Sequence, residues 1–388
     1  MFPTHSTAAL EALAEFLPRA GKEYAATRNF DAGPGQRKNV SMLSSWVRLR
    51  SLPEWTICRE VLGQHSAQEA AKFIDEVCWR TYWKGWLESR PRVWADYQQA
   101  LSKARATHAV KPQYLKLVEG ASGIDCMDAW TRELLTTGYL HNHARMWFAS
   151  IWIHTLGLPW SLGADFFLRH LLDGDAAANT LSWRWVAGLH TQGKSYLATN
   201  DNIRKHTNGR FVVNLDLAEE PIELAGEPVN PPATEIRALP ELPQDGRIGL
   251  LLHEDDLSAA DWLAEQIPIT RTAAHLPETA YAKHGIAESV LNFRRAHLRA
   301  RLDDTTTYCP SIDSVLTWAG EADLQHIVMA QPFVGIWDTV TPALRQALEK
   351  DGRQLSLAQH WWDRHFFPHA KRGFFPFKKA IPAALERI

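Results

Sequence analysis

Two runs decide how this chain is read: Thr137–Met146, TGYLHNHARM, and Leu171–Trp185, LLDGDAAANTLSWRW. Helical spacing sets Asn142 and Met146 four residues apart, and Asp175, Asn179 and Trp183 four apart again, so each set shares a helix face. One arginine, Arg145, and two carboxylates, Asp173 and Asp175, stand among Ala, Leu, Phe and Trp. Lone charges in such company are costly, so these groups either form a structural ion pair or hold something polar.

Composition narrows the field. With 388 residues the chain has room for two cores. The net charge is −2 and the pI about 6.8, so no global basic field draws it to nucleic acid, and any such contact rests on a local patch. Seventeen tryptophans fill a core or serve stacking and electron relay. Cys58, Cys78, Cys126 and Cys309 lie far apart with no CxxC pair, which argues against a zinc site or a disulfide framework; no metal is expected. The N-terminal MFPTHSTAALEALAEF carries acidic residues, and no apolar run reaches about 18 residues, so a cytoplasmic protein is the expectation.

Residues 5–20 read as a helix capped by Ser6 or Thr7, with Ala9, Leu10, Leu13 and Phe16 inward. DAGPGQRKN breaks the pattern through Gly33, Pro34 and Gly35. Ser41 and Ser44 then offer hydroxyls near a helix start, as ordinary caps or as an anion site. From Glu69 to Trp94 the pattern is helical, with Glu76, Trp79, Tyr82, Trp83 and Trp86 three or four apart, an aromatic stripe that suits a core or a stacking surface. Residues 192–210 form a polar loop in which Lys194, Arg204, Lys205 and Arg210 are candidate phosphate contacts or plain solvated charges. Residues 213–246, rich in Pro and Glu, read as an extended linker.

After the linker, short apolar runs (RIGLLLH, PITRTA, LQHIVMAQ, QLSLA) alternate with amphipathic helices such as AESVLNFRRAHLRARL and TPALRQALEK, the pattern of a parallel sheet with crossover helices. No GxGxxG follows the first strand, so a standard dinucleotide site is not expected there. The fold expected is an all-α domain over 1–212, the linker, and a smaller α/β Rossmann-like domain over 247–388.

The two signature runs resemble the flavin-binding signature of the photolyase/cryptochrome family, whose members read close to TGWMHNRLRM and DGDLAANNGGWQW. NVSMLSSWVRLRSL is similar to TSRLSPYLATGVLS, YAATRNF to YEQQRDF, and EVCWRTYW to ELIWREFY. The resemblance covers Tyr24 to Arg210 and implies FAD held by Tyr24, Ser41, Leu43, Ser44, Arg80, Arg145, Phe167, Asp173, Asp175, Ala178 and Asn179. It implies a lesion pocket of Glu76, Trp79, Asn142, Met146 and Trp185, and an electron relay beginning at Trp183 and Trp160. A third relay tryptophan has no counterpart near Thr107, so either photoreduction is slow or the electron leaves through another aromatic such as Trp152 or Tyr139. His143 replaces an arginine that touches DNA phosphate, and Asn142 with Met146 favours a cyclobutane over a (6-4) lesion.

RIGLLLHEDDLS and GFFPFKKAIPAAL resemble the opening and close of that family's antenna domain, which comes first in relatives and last here, so the chain is expected to be circularly permuted. The activity implied is blue-light-driven repair of pyrimidine dimers in damaged DNA, single- or double-stranded, by a monomer. The alternatives are a cryptochrome-like photoreceptor and a module that holds FAD without photochemistry. A second, antenna chromophore is left unassigned.

Overall fold

The computed structural model describes every residue except Met1, Ser6, Gln192, Val213, Asn214, Ala225, Arg237 and Asp304. The first part is helical: α1 (Ala8–Phe16), α2 (Lys22–Thr27), α3 (Ser44–Arg48), α4 (Glu54–Leu62), α5 (Ala67–Glu88), α6 (Arg92–His108), α7 (Pro112–Val118), α8 (Asp125–Thr137), α9 (Asn142–Ser150), α10 (Trp160–His170), α11 (Ala176–Val186) and α12 (Asn200–His206). A π-helical turn, Ile151–Thr155, continues α9. The second part alternates: β1 (Ile248–Leu252), α13 (Ala259–Ala264), β2 (Ile269–His275), α14 (Glu278–Lys283), α15 (Glu288–Arg299), β3 (Thr307–Cys309), α16 (Ile312–Glu321), β4 (His326–Ala330), α17 (Trp337–Lys350), β5 (Gln354–Ala358), then α18 (Trp361–Phe366), α19 (Phe374–Lys378) and α20 (Ile381–Leu385).

Local chemistry sets the boundaries. Helix α5 starts on a capping box in which Ser66 and Glu69 satisfy each other's backbone N–H. It stops at Glu88, short of the expected Trp94, because Ser89 to Pro91 interrupt it before α6 begins. At the start of α1 the expected cap is absent: the Thr7 hydroxyl donates to the Glu11 carboxylate at 2.6 Å instead of accepting from the backbone, and Ser6 lies outside the described residues. Leu10, expected inward, is half exposed, and Ala8 is buried in its stead.

The five strands run parallel in the order β3-β2-β1-β4-β5, so the connections wind outward in both directions from β1. Every residue of β1 is buried, as a strand covered on both faces requires. One face packs on α16 and α17 through Leu251, Val315, Ile327 and Leu344. The other joins the core of the helical part, which runs unbroken from Ala8 to Ala384.

Buried charges stitch the two parts together. Arg50 binds Asp363 with two bonds of 2.7 and 2.5 Å, Asp256 at 3.0 Å and Glu54 at 3.2 Å. Arg48 pairs with Asp255 at 2.7 Å. Cys58 and Cys78, distant in sequence, lie side by side in the core between α4 and α5. Among the described residues between α12 and β1 there is no helix or strand. It is strapped down nonetheless: Asn230 donates to the carbonyls of Leu189 and His190, and Arg90 donates to Pro231 O. No helix among the described residues is long and apolar enough to cross a membrane.

Candidate functional site

Gly138 joins the two signature runs. It ends α8 in the left-handed region at φ +68, and a Cβ there would meet the Leu172 side chain at 2.5 Å, so only glycine fits on both counts. Its carbonyl accepts from Leu172 N–H at 2.9 Å, which brings the start of α9 beside Asp173.

Asp173 is the centre of the charges expected there. Arg145 Nη1 donates to its Oδ2 at 3.0 Å, and Arg80 on α5 reaches the same oxygen at 3.4 Å while also binding Asp175. Burial alone would raise the Asp173 carboxyl, but Arg145 and Arg80 beside it hold it below the usual carboxylate range. Asp175 caps α11, its Oδ1 accepting from Ala178 N–H at 2.7 Å, so it stands just before the helix that carries Asn179 and Trp183. The Asn179 amide donates to Ala164 O at 2.7 Å. Ser44 opens α3 beside Asp173, Leu43 is buried behind it, and Ser41 is half-buried on the preceding loop. Tyr24 is buried edge-on against Phe16 and Phe73.

A second linkage lies one turn back on α5. Glu76 pairs with Arg28 at 3.6 Å, and the Arg28 carbonyl contacts His141 Nε2 at 3.0 Å, immediately before Asn142. Helices α5 and α9 are thus tied at two levels, Arg80–Asp173–Arg145 and Glu76–Arg28–His141. Between them Asn142 Nδ2 lies 4.0 Å from Met146 Sδ, on the shared helix face expected of the pair. Burial raises the Glu76 carboxyl and Arg28 opposes it, leaving it above its ordinary value. Arg28 was not expected at the site; its position four residues after Tyr24 was the available signal.

The aromatic residues have partners that the sequence did not announce. Trp79 is stacked on Phe374 of α19, with centroids 3.8 Å apart and planes 7° from parallel. Trp185 is stacked on Tyr196 at 5.8 Å. Trp183 packs so tightly on α10 that a Cβ at Gly163 would lie 2.2 Å from its ring, and Phe167 meets it edge-on at 5.1 Å. Trp183 also meets Trp152 at 6.2 Å, and Trp152 meets Tyr114 at 5.9 Å. Trp160 stands one turn before Gly163 on α10, 5.6 Å from Tyr97. Tyr139 is buried on the opposite flank, under Arg145 and Arg37.

The four cations expected at phosphate divide. Lys194 and Lys205 are exposed, but Arg204 pairs with Asp201 at 2.6 Å and Arg210 with Asp31 at 2.9 Å. Arg210 is therefore a structural partner: Asp31 is fully buried and needs both it and Arg37. The expected loop is also not continuous, since Asn200–His206 form α12 on a Thr199 cap. His143 is buried, its Nδ1 on Asn29 O at 3.0 Å and its Nε2 3.3 Å from Tyr196 Oη, so it offers no open cation to a backbone phosphate.

Residues 73–213 match the family model described as the FAD binding domain of DNA photolyase. The helical part is similar to that FAD-binding domain of the photolyase/cryptochrome family. Among curated relatives, the chain is 28% identical over 221 residues to the deoxyribodipyrimidine photo-lyase of Salmonella typhimurium, covering 55% of this chain and 46% of the relative. It is 34% identical over 171 residues to that of Streptomyces griseus, covering 40% and 36%. The chain thus spans less than half the length of these relatives. A solved class III photolyase from Agrobacterium tumefaciens aligns at 24% identity with a TM-score of 0.44, over 53% of this chain and 42% of its own.

The residues of this photolyase-type domain fit FAD. Asp173 keeps its second buried carboxylate oxygen, Oδ1, without a hydrogen-bond donor, and the buried Ser45 hydroxyl likewise lacks a partner. A buried carboxylate oxygen without a donor suits a ligand N–H, and an unpartnered hydroxyl can donate to a ligand phosphate.

Proposed function

We propose that this protein repairs cyclobutane pyrimidine dimers in DNA under blue light. Reduced FAD, when bound, supplies one-electron transfer to the dimer and recovers the electron after the ring splits. The single observation that supports the reading is the double tie between α5 and the start of α9, Glu76–Arg28–His141 and, one turn on, Arg80–Asp173–Arg145.

In this reading Asp173, Asp175, Arg80, Arg145 and Asn179 hold and orient the flavin, with Tyr24, Ser41, Leu43, Ser44, Phe167 and Ala178 around the rest of the group. Glu76, with its raised pKa, hydrogen-bonds or protonates a flipped pyrimidine, while Trp79 and Trp185 offer aromatic surface and Asn142 and Met146 line the pocket floor. Flipping costs a few kcal/mol, least at a damaged step, so the pocket selects for lesions. Trp183 is the first relay residue toward the surface. The relatives named deoxyribodipyrimidine photo-lyase support the reading at family level.

The division at 1–212 and 247–388, with the antenna-type domain circularly permuted to the end, belongs to the same proposal, as does action as a monomer in the cytoplasm. A photoreceptor without repair is the second reading, favoured by Phe374 covering one face of Trp79. The test is illumination of the purified, reduced, FAD-loaded chain with a dimer-containing oligonucleotide. Loss of dimer supports repair; intact dimer under saturating light favours the photoreceptor.

A further inference from the structure

The segment Lys371–Lys379, KRGFFPFKK, is fixed against α5 at the lip of the site. Tyr82 Oη donates to Arg372 O at 2.8 Å and Arg90 Nη2 to Lys371 O at 2.8 Å. Lys378 pairs with Asp75 at 2.5 Å, next to Glu76. Phe374 stacks on Trp79, and Phe377 packs on Phe366 and Tyr82. Phe375, between them, points the other way and is 84% exposed.

Single exposed apolar residues are ordinary on protein surfaces, but this one combines three properties. It is the sole aromatic among the described large hydrophobics that are exposed. The backbone on both sides of it is immobilised, so its ring is presented at little entropic cost. The segment holds four cations and no acid, and Lys378 alone of the four pairs with a described carboxylate, in a chain whose net charge is −2.

We propose that Phe375 is a stacking wedge for a nucleic-acid strand entering the site, with Arg372 and Lys379 holding its phosphates. The inference rests on the DNA reading above and deepens it: the strand is engaged where bases are unstacked, at a single-stranded or lesion-distorted step. A base on Phe375 gains its stacking energy without sequence preference, and the neighbouring cations supply the salt-sensitive share of affinity. An apolar ring inserted at a distorted step also offsets the cost of opening it.

The test uses the full FAD-loaded chain and two fluorescent oligonucleotides, one carrying a dimer with 2-aminopurine beside it and one undamaged. Phe375→Ala is expected to weaken binding of the dimer strand by roughly tenfold and to abolish the 2-aminopurine quenching, with Phe375→Trp restoring both. Lys379→Ala is expected to weaken both strands alike and to lower the salt slope by roughly one. Thermal melts of the variants check that the fold is intact.

Parental affinity in Phe375→Ala, while the parent still repairs the dimer in light, overturns the wedge alone. Binding that depends on Phe375 without any repair overturns the repair reading and supports the wedge. A parent that sediments as a dimer, and Phe375→Ala as a monomer, assigns the ring to self-association and overturns the proposal.

Discussion

Phe374 lies flat on Trp79, 3.8 Å between centroids and 7° from parallel, although 295 positions separate them in the chain. The α/β part therefore supplies one wall of a tryptophan that the helical part presents. Truncating Phe374 to Ala removes a buried ring and is expected to cost about 3 kcal/mol in chemical denaturation. Flavin content should be unchanged, because the rings that Phe374 packs on are Trp79, Tyr82 and Phe377 and not the charged groups around Asp173. A variant that keeps parental stability would show that the stack carries no packing energy.

Asp173→Asn removes the charge shared by Arg145 and Arg80. Two largely buried guanidinium groups are left short of compensation, and destabilisation of about 3 kcal/mol is expected. The flavin-to-protein absorbance ratio after purification should fall with it. Retention of a full complement of flavin would remove Asp173 from the cofactor shell.

Burial raises the Glu76 carboxyl and Arg28 pulls it back down. If the protonated acid serves the lesion, repair is present at low pH and lost as pH rises through this raised value. Removing Arg28 raises it further, so Arg28→Ala should move the alkaline limb of the repair yield to higher pH. Glu76→Gln should flatten that limb while lowering the yield. An unmoved limb in Arg28→Ala would detach Glu76 from the pH profile.

His141 and His297 are buried, and burial pushes each down to about 4 from an ordinary value near 6.5. Between those values the unfolded chain binds protons that the folded chain refuses. Stability is then fully present above about pH 6.5 and declines as pH falls toward 4. Thermal melts across pH 4–7 should show the midpoint dropping on the acid side. His141→Gln should shrink that drop.

Trp183 meets Trp152, and Trp152 meets Tyr114, an unbroken aromatic line leading away from the site. Trp183→Phe should abolish photoreduction of bound flavin and Trp152→Phe should slow it several-fold, read as bleaching under blue light with an external reductant. Equal loss in Trp160→Phe and none in Trp152→Phe would route the electron through α10 instead.

What the sequence reveals here is what local pattern can encode. Helical spacing places Asn142 with Met146, a short apolar run announces β1, and the company of Arg145 and Asp173 signals their pairing. That Arg80 joins Asp173 and Asp175 is not legible, since 93 and 95 positions separate the partners; the resemblance puts Arg80 only beside the flavin. The stack of Phe374 on Trp79 leaves no local trace at all. Arg210 reads like a phosphate ligand because nothing nearby in sequence shows that Asp31 is buried and in need of it. Strand β3, three residues long, is too short for any periodic signal.

The Arg50 quartet has a practical corollary. One guanidinium binds Glu54 from its own part and Asp256 and Asp363 from the other, all out of reach of water. A fragment cut at the linker would leave Arg50 with Glu54 alone and would take from Asp256 and Asp363 the guanidinium that binds them. Chimeras that graft a foreign α/β half onto this helical half should aggregate unless Arg48, Arg50 and their acidic counterparts travel as a set.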